Sequence, residues 1–397
     1  MFKYEALTPS SLSEKVLRGT LPDKLYIWRP SDMLRRTLLE YPHGGRIDEM
    51  KEPARRMLAY SYDETKSYLD KSQRVPSPYK RPIYVYYGEG EMSEEWEMYE
   101  TYWIECRMIA HTSIPLHPIH ILDNGIMREP FQNEEIHVWL WKDELENCLE
   151  AGYTLLHVER AYFFEEMSDF MARWADILWE SLDKCENEHQ KDILKKMMVG
   201  LIGRFQKEPM KYELIHKDQT DVVHSDEPIL HAYTKEGKHI SPWHIRATSD
   251  VQSAQLTPQG HYIVMKTRSK MYRIMKREIE AGNELLGSYI DCYTVSHKSQ
   301  LGLVGKERGQ FKEKIHENVV VVHNQLIPFD SEKMRAPGFK EGSDARVHLW
   351  EEYHAENKNN KIDAFSGEDE AKGSDGVREA SDYRDSYTAA STTGMGE

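Results

Sequence analysis

The sequence has few cysteines and no long apolar run. Its four cysteines lie far apart and form no Cys-x-x-Cys pair, which indicates reduced thiols in a cytoplasm-like compartment. No stretch approaches the roughly 18–20 apolar residues that a membrane span needs. The first residues also lack the apolar segment of a secretory signal. These absences predict a cytoplasmic protein without a membrane partner.

Several signatures of catalysis are missing as well. The sequence contains no Gly-rich phosphate loop, no nucleophile elbow and no His-Glu-x-x-His helix. Cys106, His111, His117 and His120 lie near one another, but their spacing matches no standard set of zinc ligands and prolines interrupt it. The common phosphate-loop, hydrolase and zinc-protease classes are therefore excluded.

Positive charge is also in short supply. The chain has 397 residues, with 52 Lys and Arg against 67 Asp and Glu, and a net charge of −15. Proteins that bind nucleic acid usually show a basic surface, so any basic groove here must be local. Residues 351–397 are rich in Ser, Gly, Asp and Glu and poor in large apolar side chains, which predicts a disordered acidic tail. The rest of the chain is long enough for two or three subdomains.

The apolar pattern predicts both strands and helices. Before residue 164, β-branched and aromatic runs such as "PIYVYY" and "IHVWLW" indicate strands. Over residues 164–205 the apolar period becomes 3.6, which predicts two helices. Residues 206–260 show no clear period and are predicted to be irregular. A third helix is expected over residues 268–283, with Gly282 at its end, and a last strand over 318–326.

Three short segments carry candidate chemistry. In "YDETKSYLDKS", Asp63 lies near the end of a predicted strand and Tyr68 follows five residues later. In "KKMMVGLIGRFQKEP", a predicted helix contains Lys195 and Gly203. In "YIDCYTVS", Asp291 lies within a short β-prone run. Each segment is weak evidence by itself, and their order along the chain carries the argument.

This order resembles the palm and fingers of family B DNA polymerases, in particular the protein-primed type of phages and linear plasmids. The resemblance covers roughly residues 56–330 and implies an α/β fold, with a mixed palm-type sheet flanked by helices and with helical fingers. It implies that Asp63 and Asp291 are catalytic and bind metal. It also implies that Tyr68, Lys195 and Gly203 bind the incoming nucleotide.

Within the second and third motifs, the chain departs from the family pattern at three positions. The asparagine and tyrosine of the second motif are Val199 and Ile202, and the second aspartate of the third motif is Tyr293. Nucleotidyl transfer of this type uses two divalent ions, and Mg²⁺ is bound by oxygen ligands such as carboxylates. A phenol is neutral near pH 7 and cannot supply the missing charge. We therefore expect one Mg²⁺ ion rather than two, and impaired catalysis.

The resemblance divides the chain into segments. We expect an unassigned N-terminal segment and a palm interrupted by fingers and by an insertion. The predicted bounds are 1–55 for the N-terminal segment, 56–163 for the first part of the palm, 164–215 for the fingers-like helices, 216–265 for the insertion, 266–350 for the second part of the palm with a reduced thumb, and 351–397 for the disordered tail.

The best basic patch lies in the predicted third helix. Lys270, Arg273 and Arg277 share one helical face, opposite a Met/Ile stripe, and could follow a DNA backbone. A solvated outer face explains the same pattern. Simpler interpretations exist for the motif residues too: Asp63 and Asp291 could be ordinary strand-end carboxylates, and the Gly200–Gly203 pair a helix-packing contact.

The sequence supports three hypotheses of function. The first is a catalytically impaired homologue of a protein-primed DNA polymerase, with a role in the DNA replication or DNA binding of a virus or plasmid. Its partners would be DNA and a terminal or priming protein, and its location the host cytoplasm or a virion. The alternatives are an active polymerase subunit without its own exonuclease domain, and a structural protein that reuses the palm scaffold. The sequence leaves open whether the protein is an enzyme.

Overall fold

The structure is a computed structural model. It describes residues 8–22, 25, 27–28, 30–41, 45–49, 54–88, 96, 98–112, 114–123, 126–205, 210–216, 229–233, 239–249, 256–322, 325–328 and 351. The helices are α1 (Pro9–Thr20), α2 (Asp32–Glu40), α3 (Ser67–Arg74), α4 (Lys142–Glu150), α5 (Ala172–Asp183), α6 (Glu188–Phe205) and α7 (Thr257–Glu280). No helix in this part of the chain is both long and apolar enough to cross a membrane.

The strands are short to medium in length. They are β1 (Arg46–Glu49), β2 (Ala54–Glu64), β3 (Ser77–Pro78), β4 (Ile83–Tyr86), β5 (Thr101–Ala110), β6 (Ile121–Asp123), β7 (Ile126–Arg128), β8 (Glu134–Trp141), β9 (Thr154–Phe164), β10 (Met167–Ser168), β11 (Met210–His216), β12 (Ile229–Tyr233), β13 (His239–Ser249), β14 (Leu285–Ile290), β15 (Cys292–Val295), β16 (Phe311–Val322) and β17 (Gln325–Pro328).

The central sheet holds two of the three motif segments. Its strand order is β1-β14-β15-β2-β16-β17, and neighbouring strands are antiparallel. Because side chains alternate along a strand, Tyr62 and Glu64 of β2 lie on one face and Asp63 on the other. Helix α7 covers the first face, where Tyr62 packs in a buried cluster with Met271 and Met275. The predicted α/β fold with a sheet flanked by helices is confirmed, but this sheet is antiparallel rather than mixed.

A second sheet lies apart from the central one. Its order is β4-β9-β5-β8. Alternate residues of β5, such as Ile104 and Cys106, pack on α4. On the other face Trp103 packs with α2 and α7. These strands form a sheet of their own and do not extend the central one. The physical reason is that β5 is buried on both faces and needs cores of its own.

Helices α5 and α6 form a helical unit together with α1. The two helices predicted over 164–205 are confirmed. The N-terminal segment, which the sequence left unassigned, contributes α1 to this unit. The Trp174 indole of α5 donates a hydrogen bond to Ser13 of α1 at 3.1 Å. Gly200 lets the helices approach closely, since a Cβ there would lie 3.2 Å from Cβ of Ser10. The packing interpretation of Gly200 is therefore confirmed.

The segment after the helical unit differs from the prediction. Strands β11, β13 and β12 form a three-stranded antiparallel sheet within residues 206–260, which were predicted to be irregular. Helix α7 begins at Thr257 rather than near residue 268. Pro258 lies in its first turn, where proline is tolerated because that N–H has no intrahelical partner. This proline was an overlooked signal for the helix start.

Two predicted segments cannot be compared with the structure. Apart from residue 351, the predicted acidic tail over 351–397 lies outside the described residues. The part of the predicted thumb that follows β17, residues 329–350, lies outside them as well.

Candidate functional site

A tight hairpin presents Asp291. Tyr289 and Cys292 are directly opposite each other, so Ile290 and Asp291 form a two-residue turn between β14 and β15. Such turns need a positive φ in their first central residue, and Ile290 has φ of 61°. A β-branched residue in this region is strained. Gly45 makes room for it, since a Cβ at Gly45 would lie 2.6 Å from Cγ2 of Ile290.

The structure places Asp63 and Asp291 side by side. Cys292 is the cross-strand partner of Asp63, and the Glu64 N–H donates to the Asp291 carbonyl at 2.8 Å. Burial raises the pKa of the Asp291 carboxyl to about 7, and the negative charge of Asp63 adds to this increase. We call these two residues the carboxylate pair. Two acids this close compete to remain ionised, and a bound cation or a nearby ammonium would relieve the repulsion.

Three lysines surround the carboxylate pair. Lys312 of β16 is the cross-strand partner of Asp63 on the side away from β15. Lys66 follows β2 in a left-handed conformation with φ of 55°. Burial lowers the pKa of Lys66, as do the charges of Lys195 and Lys312, whereas Asp63 and Asp291 oppose this decrease. We call Lys66, Lys195 and Lys312 the lysine cluster.

The resemblance pointed to one member of this cluster. Lys195 lies exposed on α6, near the carboxylate pair. Lys66 was overlooked, although its position three residues after Asp63 was a usable signal. Lys312 has no local signal, because only the pairing of β16 with β2 brings it beside Asp63.

The other two predicted nucleotide-binding residues differ in their surroundings. Tyr68 of α3 is half-buried and packs against the helical core that contains Phe170 and Trp174. Gly203 lies in the last turns of α6, and a Cβ added there would meet no atom within 4 Å. Packing therefore explains the buried part of the Tyr68 side chain, but it gives no reason for a glycine at position 203.

Tyr293 does not lie beside the carboxylate pair. It is paired with Tyr62, and the two rings stack at 5.1 Å on the face covered by α7. Its hydroxyl donates to Glu278 at 3.0 Å, and the side chain is fully buried. The expectation of a phenol in the place of a third metal ligand is thus corrected, because position 293 faces away from Asp63.

The predicted basic face of α7 is largely engaged in ion pairs. The Lys270 ammonium bonds to the buried Glu64, and Arg273 donates to Asn147 at 2.8 Å and pairs with Asp143 at 3.7 Å. Arg277 is exposed and lines, with these two, a cleft of about 400 Å³. Since Glu64 and Asp63 point to opposite faces of β2, Lys270 lies behind the sheet and not beside the carboxylate pair. The interpretation of Lys270 as part of an outward basic face is therefore corrected.

The fold and the site together define a class of protein. An antiparallel sheet with a carboxylate-bearing hairpin, backed by a long helix and joined to a helical unit that carries a lysine, resembles the palm-and-fingers arrangement of nucleic-acid polymerases. The family model for DNA polymerase type B, organellar and viral, matches residues 2–280. The chain belongs to this family, and the predicted family is confirmed.

Solved structures of Phi29 DNA polymerase are similar to this chain. The complex with primer-template DNA and incoming nucleotide substrates matches with a TM-score of 0.63 and 15% identity, over 87% of this chain and 62% of that one. The complex with single-stranded DNA matches with a TM-score of 0.61 and 15% identity, over 85% of this chain and 61% of that one. The chain thus spans about three fifths of the polymerase it resembles. A search of the curated proteins finds no match.

Proposed function

We propose that this protein is a DNA-binding, replication-associated homologue of a protein-primed DNA polymerase whose nucleotidyl transfer is impaired. The observation that carries the proposal is the composition of the site. Two carboxylates and three lysines meet at one face of the palm sheet, while position 293 points to the opposite face.

The carboxylate pair fits one divalent ion. Asp63 and Asp291 would hold Mg²⁺, which would supply positive charge to a phosphate oxygen. Within the described residues, no third His, Cys, Asp or Glu forms a close three-ligand group with them. The Asp291 carbonyl already accepts from Glu64. A second ion would lack protein ligands, and this supports impaired rather than efficient transfer.

The lysine cluster suits the phosphates of a nucleotide. Its three ammonium groups exceed the charge of the two carboxylates, and the Asp291 carboxyl, with pKa about 7, is partly protonated at neutral pH. We infer that Lys195 and Lys312 contact the phosphates and that Tyr68 and Gly203 border the nucleotide. Lys66 is half-buried. Its charge would attract Asp63 and Asp291 and would keep the Lys195 and Lys312 ammonium groups apart from its own.

DNA is the proposed partner, and a terminal or priming protein a further one. The solved complexes of Phi29 DNA polymerase contain primer-template or single-stranded DNA, which supports a DNA-binding surface at the corresponding sheet. The exposed Arg277 is proposed as a DNA contact. Lys270 and Arg273 could contribute only by exchanging their acidic partners for phosphates. A viral or plasmid origin and a cytoplasmic or virion location complete the proposal.

Incorporation of a labelled nucleotide on a primed template, with Mg²⁺ or Mn²⁺, tests the central claim. We expect the wild type and Asp63→Asn to give the same background signal. Incorporation that Asp63→Asn abolishes would instead support the alternative of an active polymerase subunit.

Nucleotide binding is the second measurement. We expect Lys312→Gln and Lys195→Gln to weaken the binding of a deoxynucleoside triphosphate about tenfold each, as for loss of one charge-assisted contact. Lys196→Gln is the matched control, because Lys196 is exposed on the same helix and pairs with Asp192. A wild type that binds neither nucleotide nor DNA would support the structural alternative.

A further inference from the structure

Three potential metal ligands meet on the exposed part of the second sheet. Glu105 of β5, His137 of β8 and Glu159 of β9 each offer one ligand atom, and these atoms lie within 4.8 Å of one another. The Nε2 atom of His137 is 3.2 Å from Oε1 of Glu105 and 3.6 Å from Oε1 of Glu159. The cluster lies on the sheet β4-β9-β5-β8, which does not contain the carboxylate pair.

A β-bulge supplies the second carboxylate. Glu105 is paired with Arg160, but Cys106 is paired with Val158, so Glu159 has no cross-strand partner on β5. An extra residue of this kind redirects a side chain that would otherwise point to the opposite face. The bulge therefore brings Glu159 to the same face as Glu105 and His137.

The spacing matches tetrahedral coordination. With metal–ligand bonds of about 2.0–2.1 Å, two ligands of a tetrahedral Zn²⁺ site lie about 3.3 Å apart. The two distances from His137 are close to this value without any movement of the side chains. An imidazole with two carboxylates favours Zn²⁺ and related ions over Mg²⁺, which prefers oxygen ligands alone.

Two arginines set the charge of the cluster. Arg160 donates to the second oxygen of Glu105, and Arg107 donates to Oε1 of Glu159 at 3.1 Å. The two carboxylates and two guanidinium groups cancel when His137 is neutral. Arg107 competes with an ion for Glu159, whereas Arg160 leaves the Glu105 oxygen that faces His137 accessible.

In another cluster, formed by Asp48, His120 and Glu129, the central carboxylate has no oxygen left accessible to an ion. Both oxygens of Asp48 accept hydrogen bonds from Arg46, and one also accepts from Ser288. Asp48 thus has its acceptor positions engaged and joins β1 to the hairpin strand β14.

We propose that Glu105, His137 and Glu159 form a binding site for one Zn²⁺-class cation, with a fourth position open to solvent. Half of the His137 side chain is exposed, at 45%, whereas Glu105 is at 5%. The buried carboxylate would anchor the ion and the exposed imidazole would close the site. A bound ion would join three neighbouring strands of the second sheet.

Titration of the metal-stripped full chain with Zn²⁺ tests this site. We expect the wild type to bind one equivalent, and His137→Ala or Glu159→Gln to weaken that binding at least about tenfold. His189→Ala is the matched control, since His189 is exposed on α6. Equal binding by the wild type and both variants, or no binding by the wild type, would overturn the proposal.

Two further measurements make the result unambiguous. Zn²⁺ should raise the melting temperature of the wild type and of His189→Ala but not of His137→Ala or Glu159→Gln. The melting curves without metal show that each variant is folded. The X-ray absorption spectrum of the bound ion should show nitrogen and oxygen ligands, and sulfur ligands would assign the ion to the cysteines instead.

Discussion

The contacts of the side chain at position 293 are determined by the face of β15 on which it lies. Tyr293 stacks on Tyr62 and donates to Glu278, whose carboxylate is fully buried and also accepts from Asn283 and Ser299. Burial raises the pKa of the Tyr293 phenol, and the charge of Glu278 adds to this. An aspartate here would lie next to Glu278, away from any metal bound by Asp63.

Tyr293→Asp, which restores the family residue, is therefore expected to destabilise the protein without restoring activity. We expect a loss of about 3–5 kcal/mol, because the change leaves a cavity and buries a second carboxylate. Urea unfolding measures the loss. Tyr293→Phe is the control and should cost only about 1–2 kcal/mol, for one hydrogen bond to a charged group. Metal-dependent nucleotide incorporation by Tyr293→Asp would contradict this account.

The raised pKa of the Asp291 carboxyl predicts that the stability of the protein depends on pH. Its pKa rises from 3.8 to about 7 on folding, first through burial and then through Asp63. The folded state therefore retains a proton that the unfolded state has lost between these two values, and ionisation destabilises the protein as pH rises. Asp291→Asn removes this effect. The variant should match the wild type near pH 4 and exceed it by on the order of 2 kcal/mol above pH 7.

Denaturant unfolding across this pH range measures the difference. A stability difference that is constant with pH would mean that the Asp291 carboxyl titrates normally.

At the scale of elements, the crossing of α6 and α7 joins the helical unit to the central sheet. Gly260 lies in the second turn of α7, and a Cβ there would lie 2.6 Å from Cβ of Phe205 and 3.4 Å from the Ile202 carbonyl oxygen. The two helices approach closely only because this side chain is missing. The crossing sets the position of Lys195, on α6, relative to the sheet backed by α7.

Gly260→Ala should therefore destabilise the protein, by about 1–3 kcal/mol, as overpacking of a close contact does. Gly203→Ala on α6 is the matched control. It meets no neighbour, so the better helix propensity of alanine should make it neutral or more stable by about 0.5–1 kcal/mol. Thermal or urea unfolding of both variants compares them. Equal effects would show that the helices shift apart at little cost.

At the scale of the whole molecule, a net charge of −15 coexists with local positive charge at the site. The lysine cluster lies on the Asp63 face of the central sheet, whereas the cleft with Arg277 lies behind it. DNA that follows the palm face would contact the former, and DNA that follows α7 the latter.

The salt dependence of single-stranded DNA binding distinguishes these two paths. Replacement of Lys195 and Lys312 by glutamine should reduce the slope of log affinity against log salt by about 1.4, at about 0.7 per phosphate contact. Arg277→Gln should change the slope by less than half of this. Fluorescence anisotropy at several salt concentrations gives both slopes. A larger effect of Arg277→Gln would move the DNA path to α7.

The sequence by itself determined several local elements and the family. The apolar period gave α5 and α6, and Gly282 correctly marked the end of α7 with φ of 88°. The motif order placed Asp63, Lys195 and Asp291 in one family pattern. These features depend on residues close in the chain, whose periodicity and turn preferences act before any distant contact forms.

Only the tertiary structure decided which groups face each other. The pairing of β2 with β15 and β16 placed Lys312 beside Asp63 and turned Tyr293 toward α7. The tertiary structure also placed β4, β9, β5 and β8 in a sheet separate from the central one. The physical reason is that side chains alternate along a strand, so a shift of one residue in register reverses the face of every side chain. That register is set by packing between distant segments, which the local pattern of residues does not specify.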